Sequence, residues 1–104
     1  MDNSSILKDI VTAINNETER EEIERGERYS SGYEAYSILQ AALERKDAAS
    51  KDLKDALKSL WEGVKTEDET TASAMLGEVA RTAREAAMAW VRVAAIAEKG
   101  ARSV

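Results

Sequence analysis

The stretch YSILQAALERKDAASKDLKDALKSLWEGV, residues 36–64, decides the fold. Tyr36, Leu39, Leu43, Leu53, Leu57, Leu60 and Val64 recur in helical phase, and the phase passes unbroken through polar Lys46 and Ser50. That spacing marks a helix that buries one stripe. Ser30, Ser31 and Gly32 punctuate the chain just before it. Ser31 with Glu34 has the S-x-x-E spacing in which each side chain satisfies the other residue's orphan backbone N–H. One continuous helix over 32–64 is the expectation, on the order of 45–50 Å long, with Asp47 to Asp52 the first place for a kink.

Downstream, Gly63 and the polar run Lys65 to Thr71 predict a turn, with Thr66 and Glu69 offering a second capping box. A third helix is predicted over 70–99, its seam reading Ala72, Leu76, Val79, Ala83, Ala86, Trp90, Val93 and Ala97, with Gly100 suited to a left-handed C-terminal cap. A seam of small residues lets a partner helix come close. Two long helices joined by a short turn run antiparallel.

Upstream, Ile6, Leu7, Ile10, Val11 and Ile14 predict a helix over 4–27 with a short apolar stripe, capped by Asn3 or Ser4. From Glu17 to Arg28 nine of twelve residues are charged, so this part has little apolar surface to bury and reads as a solvated face. Pairs such as Glu21 with Arg25 contribute about 0.2–0.5 kcal/mol each; Gly26 opposes helix by about 1 kcal/mol, so the helix is expected to fray or bend there. Residues 1–29 carry eight acids against four bases and residues 70–104 three acids against five bases, so the two ends attract one another. No segment reads as a strand. The class is all-α: a three-helix subunit dominated by a long antiparallel hairpin, in one small domain of 104 residues. The first helix covers only part of that hairpin and leaves Trp61, Trp90 or the Ala seam partly bare, which predicts assembly into a helical-bundle dimer or tetramer.

Composition removes most chemistries. There is no His and no Cys, so imidazole bases, thiolate nucleophiles and the usual zinc sites are excluded, and metal chemistry would rest on carboxylates and a hard cation. Ser and Thr lack an activating base. A net charge of −5 argues against direct nucleic-acid binding and against a membrane-surface footprint. Absence of Cys and of any long apolar run reads as a cytoplasmic chain with no membrane contact.

The phrases Tyr29-Ser-Ser-Gly-Tyr-Glu-Ala-Tyr-Ser-Ile-Leu, then Leu60-Trp61-Glu62-Gly63-Val64-Lys65, then Val93-Ala94-Ala95-Ile96-Ala97 together resemble small phage and prophage proteins of the MazG-like all-α nucleotide pyrophosphohydrolase group. The resemblance implies Mg²⁺ held on substrate phosphates by an E-E-x-x-E motif and a later acidic pair, since Mg²⁺ wants hard oxygen ligands. Carried across, the first motif falls on Ala41, Ala42 and Arg45, and the later pair on about Ala89 and Arg92. None is acidic. The metal site implied by the resemblance is therefore degenerate, no catalytic residue is assigned, and no cofactor is expected. Whether the chain is an enzyme stays open, with the balance against it. An irregular Mg²⁺ site at Glu34, Glu44 and Asp47 is the enzymatic alternative, giving a nucleoside triphosphate pyrophosphohydrolase.

Arg81, Arg84 and Arg92 share one face of the third helix, and with Arg45 opposite they would bind phosphate or an acidic partner; the bland alternative has Glu78 and Glu85 pairing with Arg81. That gives a third reading, a metal-free binder of nucleotides or phosphorylated ligands. Tyr33, Trp61 and Trp90 are the candidate apolar anchors for a partner. The sequence is read first as a non-catalytic phage-type helical protein that binds a host protein, inhibition of an antiviral defence such as a CRISPR nuclease being one purpose of such binding.

Overall fold

The computed structural model describes residues 3–103. Helix α1 runs Asn3–Arg25, α2 Gly32–Lys65 and α3 Glu69–Ser103, and the described residues contain no strand. The protein is all-α, and α2 and α3 pack as a helical hairpin. Its direction is antiparallel, because a Cβ placed on Gly63 would lie 3.2 Å from the Ala72 backbone nitrogen and one on Gly100 would lie 3.5 Å from the Ala35 Cβ. No described helix is long and apolar enough to cross a membrane.

Local chemistry explains the helix ends, and several differ from expectation. Gly26 does not weaken α1 from within but ends it. Its φ of +85° is the left-handed conformation a non-glycine residue avoids, and its N–H donates to Glu22 O at 2.8 Å. At the start of α2, Ser31 Oγ accepts from Glu34 N–H at 3.1 Å, while the Glu34 carboxylate accepts from Ser30 Oγ at 2.6 Å instead of closing the reciprocal box. The second box, Thr66 with Glu69, does not form. Asp68 caps α3, accepting the Thr71 N–H at 3.1 Å and the Thr71 hydroxyl at 2.7 Å. Those hydrogen bonds hold the Asp68 carboxyl below its ordinary range, and a carboxylate at a helix N-terminus also faces the positive end of the dipole. Thr66 instead donates back to the Glu62 and Gly63 carbonyls, closing α2, and Glu67 takes the left-handed turn with φ 56°. Gly100 is not a cap, because α3 continues to Ser103 past Ala35. The expected Asn3 or Ser4 cap lies outside the described side chains.

The hairpin seam keeps about half of the expected positions, Leu39, Leu53 and Leu60 on α2 and Ala72, Val79, Ala86 and Val93 on α3, and replaces the rest. On α2 the inward positions are Ala42, Lys46, Ala49, Leu53, Ala56, Leu60 and Gly63. On α3 they are Ala72, Met75, Val79, Thr82, Ala86, Ala89, Val93 and Ile96. Both series step by three and four in heptad fashion. Tyr36, Leu43, Leu57 and Val64, and Leu76, Ala83, Trp90 and Ala97, which the spacing assigned to the seams, are exposed. On α2 the small Ala42, Ala49, Ala56 and Gly63 alternate along the inner stripe with the larger Lys46, Leu53 and Leu60, and small residues at such positions let a facing helix come close.

The chain divides into two compact units, one of residues 1–43 with 90–104 and one of residues 44–89. The first holds the apolar cluster of Tyr29, Ala42 and Ile96, with Ala35, Ile38, Leu39 and Val93 packed against it. The second is the turn end of the hairpin, where the buried apolar side chains among the described residues are Ala56 and Ala86. Small cores of this kind leave large apolar groups outside.

Candidate functional site

The densest chemistry in the molecule lies in the first unit. Glu17, Glu21 and Glu24 are spaced by four and three, which puts their carboxylates on one stripe of α1. Arg92 and Lys99, seven apart, form a matching stripe on α3. The Arg92 guanidinium donates to Glu17 Oε1 at 2.7 Å and to Glu21 Oε2 at 2.9 Å, with Glu24 Oε2 at 3.6 Å. Glu21 is completely buried. It also accepts from Arg25 at 2.6 Å and from the Tyr29 hydroxyl at 2.8 Å. Lys99, equally buried, donates to the Glu21 carbonyl at 3.3 Å and places its ammonium 4.2 Å from the centroid of the Tyr29 ring. Tyr29 N–H donates to Ser103 Oγ at 3.1 Å, and Arg102 reaches Glu22 at 3.1 Å.

Electrostatics follow from this enclosure. Burial works against the charged form of Arg92, but the hydrogen bond to Glu17 and the charges of Glu21, Glu17 and Glu24 outweigh it and hold its pKa above the ordinary guanidinium value. Burial, and then the hydrogen bond and charge of Glu21, push the Tyr29 phenol well above its usual pKa, against smaller opposing effects of Arg25 and Arg92. A raised acid pKa favours the neutral phenol in the fold. The associated stability is complete below about pH 10, the unfolded value, and is lost as pH rises beyond it. Unfolding free energies from urea titrations between pH 8 and pH 11 are therefore expected to fall above about pH 10, by up to ~1.4 kcal/mol per pH unit from this group. Tyr29→Phe is expected to be less stable at neutral pH and to show a shallower alkaline decline. An unchanged slope would contradict the assignment.

The charged run was expected to be solvated; Glu19, Arg20, Glu24, Arg25, Glu27 and Arg28 are exposed, and the structure corrects the expectation at Glu17 and Glu21. Glu17, Thr18 and Glu21 are buried, while the apolar Ile6, Leu7, Ile10 and Val11 are exposed and Ile14 alone of the stripe is half-buried, so α1 docks in this unit mainly by its charges. The predicted attraction between the acidic N-terminal and basic C-terminal segments takes this form. Among the described residues no buried side-chain nitrogen or oxygen lacks a partner.

The other candidate residues are placed as follows. Arg81 bridges Glu78 and Glu85 on its own helix, at 2.6 Å to Glu85, which is the bland alternative. Arg45 and Arg84 are exposed in the same 44–89 unit. Arg92 belongs to the other unit and spends both terminal nitrogens on Glu17 and Glu21, so it does not present a free fork to phosphate. Glu34, with Ser30, lies in the first unit, and Glu44 and Asp47 lie in the second. Among the described residues no group of three or more acids is arranged to hold a metal. Tyr33 is 81% exposed, and Trp61 and Trp90 are both more than half exposed.

No family model, curated protein or solved structure matches this chain. Functional inference rests on the geometry. Sequence reasoning missed Glu17, Glu21, Tyr29 and Lys99; their signal was the four-residue step of the acids set against the seven-residue step of Arg92 and Lys99.

Proposed function

We propose that this chain acts by binding a partner protein and not by chemical turnover: a helical, phage-type protein that keeps a MazG-like scaffold without its metal site. The observation that supports this reading is the fate of the convergent carboxylates. Glu17, Glu21 and Glu24 meet around the Arg92 guanidinium, a permanent cation covalently part of the chain, with Arg25 completing the balance. A hard metal would have to displace an arginine whose pKa those same acids raise. Aromatic rings left in solvent, Tyr33 and Trp61 foremost, are the anchor type that dominates protein interfaces. Blocking a host antiviral defence, such as a CRISPR nuclease, is a purpose in keeping with a small acidic binder.

The test is affinity capture with the full chain from host lysate, followed by binding measurements with the purified partner. Tyr33→Ala and Trp61→Ala are expected to weaken that binding by about tenfold or more, as truncated anchors do, while the unfolding curves stay in place. Mg²⁺-dependent release of pyrophosphate from nucleoside triphosphates, abolished by Glu44→Ala, would replace this reading with the enzymatic one.

A further inference from the structure

Helix α1 is tied to the rest of its unit by polar groups. Arg92, Lys99 and Arg102 are the bases of α3 beyond Glu85, and each reaches α1: Arg92 at Glu17 and Glu21, Lys99 at the Glu21 carbonyl, Arg102 at Glu22. The Tyr29 hydroxyl adds one bond to Glu21. The apolar cluster of the same unit is built without α1. Its buried members, Tyr29, Ala42 and Ile96, and the side chains packed against them belong to the connector, α2 and α3. From its own apolar side α1 adds half-buried Ala13 and Ile14.

Two features let this contact open without disturbing that cluster. The acids of α1 have second cations on their own helix: Glu17 stands 3.7 Å from Arg20, and Glu21 and Glu24 lie 2.6 Å and 3.4 Å from Arg25. A detached α1 therefore keeps partners for its acids, and water solvates what remains. The connector, moreover, is anchored beyond its bend. Gly26, with φ +85°, ends α1, and residues 26–28 are exposed. Tyr29, the next residue, is held to the end of α3 by its N–H bond to Ser103 Oγ at 3.1 Å. Rotation within residues 26–28 swings α1 outward and leaves the Tyr29 backbone where it is.

Segments with few buried apolar contacts are the ones that open below the free energy of global unfolding. Buried charge adds to this, because the desolvation of Glu21 and Lys99, both fully buried, offsets much of the attraction between the helices. We propose that α1 is a strap. It opens as one unit about residues 26–28 while α2 and α3 stay packed, and in opening it uncovers Arg92, Lys99 and Arg102 as a row of cations on α3. Docked, α1 keeps that row neutralised by its carboxylates and its backbone.

The chain has no cysteine, so single introduced thiols report the opening. Thr18 on α1 and Ala42 in the apolar cluster are matched in burial, at 7% and 6% exposed. Alkylation of Thr18→Cys by iodoacetamide is expected to run at least about tenfold faster than that of Ala42→Cys. Its rate is expected to change little in urea below the unfolding transition, where the Ala42→Cys rate climbs steeply with the surface that full unfolding exposes. Wild-type protein supplies a readout that needs no substitution. Lys99 is expected to be acetylated by a limiting dose of an N-hydroxysuccinimide ester with the same shallow urea dependence as Thr18→Cys, the site being read by mass spectrometry. Equal alkylation rates, a common urea slope for the two cysteines, or acetylation of Lys99 that follows the Ala42→Cys slope would show that α1 leaves only when the whole unit unfolds, and would overturn the proposal.

Discussion

Glu21→Ala is expected to destabilise the protein by about 3–5 kcal/mol, the usual cost of removing one partner from a buried ion pair. Glu21 is fully buried and accepts hydrogen bonds from Arg92, Arg25 and the Tyr29 hydroxyl. Truncating it leaves a half-buried guanidinium short of its deepest acceptor and a buried phenol with no acceptor at all. Arg25, more exposed, recovers solvation and adds little to the loss. The cost comes from orphaned groups, not from the intrinsic strength of the pair. The double variant Glu21→Met with Arg92→Leu, which removes the charges together and refills the space with apolar atoms, is therefore expected to be more stable than Glu21→Ala alone. Urea unfolding followed by circular dichroism separates these cases. A loss below about 1 kcal/mol for Glu21→Ala would show that α1 is held by something other than this network.

Ile96→Ala is expected to cost about 2–5 kcal/mol. Ile96 is 2% exposed at the centre of the cluster with Tyr29 and Ala42, and the surrounding Ala35, Ile38, Leu39 and Val93 belong to helices whose spacing cannot close around a cavity. At roughly 4–8 °C of melting temperature per kcal/mol for a domain of about 100 residues, the shift is large on a thermal scan. Ile23→Ala is the matched control. Ile23 stands almost fully in solvent on α1, so the same chemical change is expected to stay within about 0.5 kcal/mol. Equal effects at the two positions would mean that the cluster is not the core of its unit.

Both sites were unevenly visible in advance. Ile96 sits in the Val-Ala-Ala-Ile-Ala phrase, but the expected seam ran through Val93 and Ala97 and passed it by, because at a three-four spacing two neighbouring stripes fit the apolar pattern almost equally well. On α2 the choice between them turned on Ala42 and Ala56, which a hydrophobicity pattern weighs lightly and close helix packing weighs heavily. Glu21 was read as one member of a solvated acidic run. Nothing within α1 distinguishes it from Glu22 or Glu24; what buries it is Arg92, seventy-one residues away. Arg81 was readable from its own helix, since both of its acids lie within one turn.

The amino-acid sequence alone determined the all-α class, the number of helices and the hairpin. Periodicity, glycine and capping oxygens act over a few residues, and their energies do not depend on what lies across the fold. Only the tertiary structure decided which stripe of α2 and α3 turned inward and which charges left water. Those outcomes depend on how closely two backbones approach and on which groups they set opposite one another, and no local stretch of the chain encodes either.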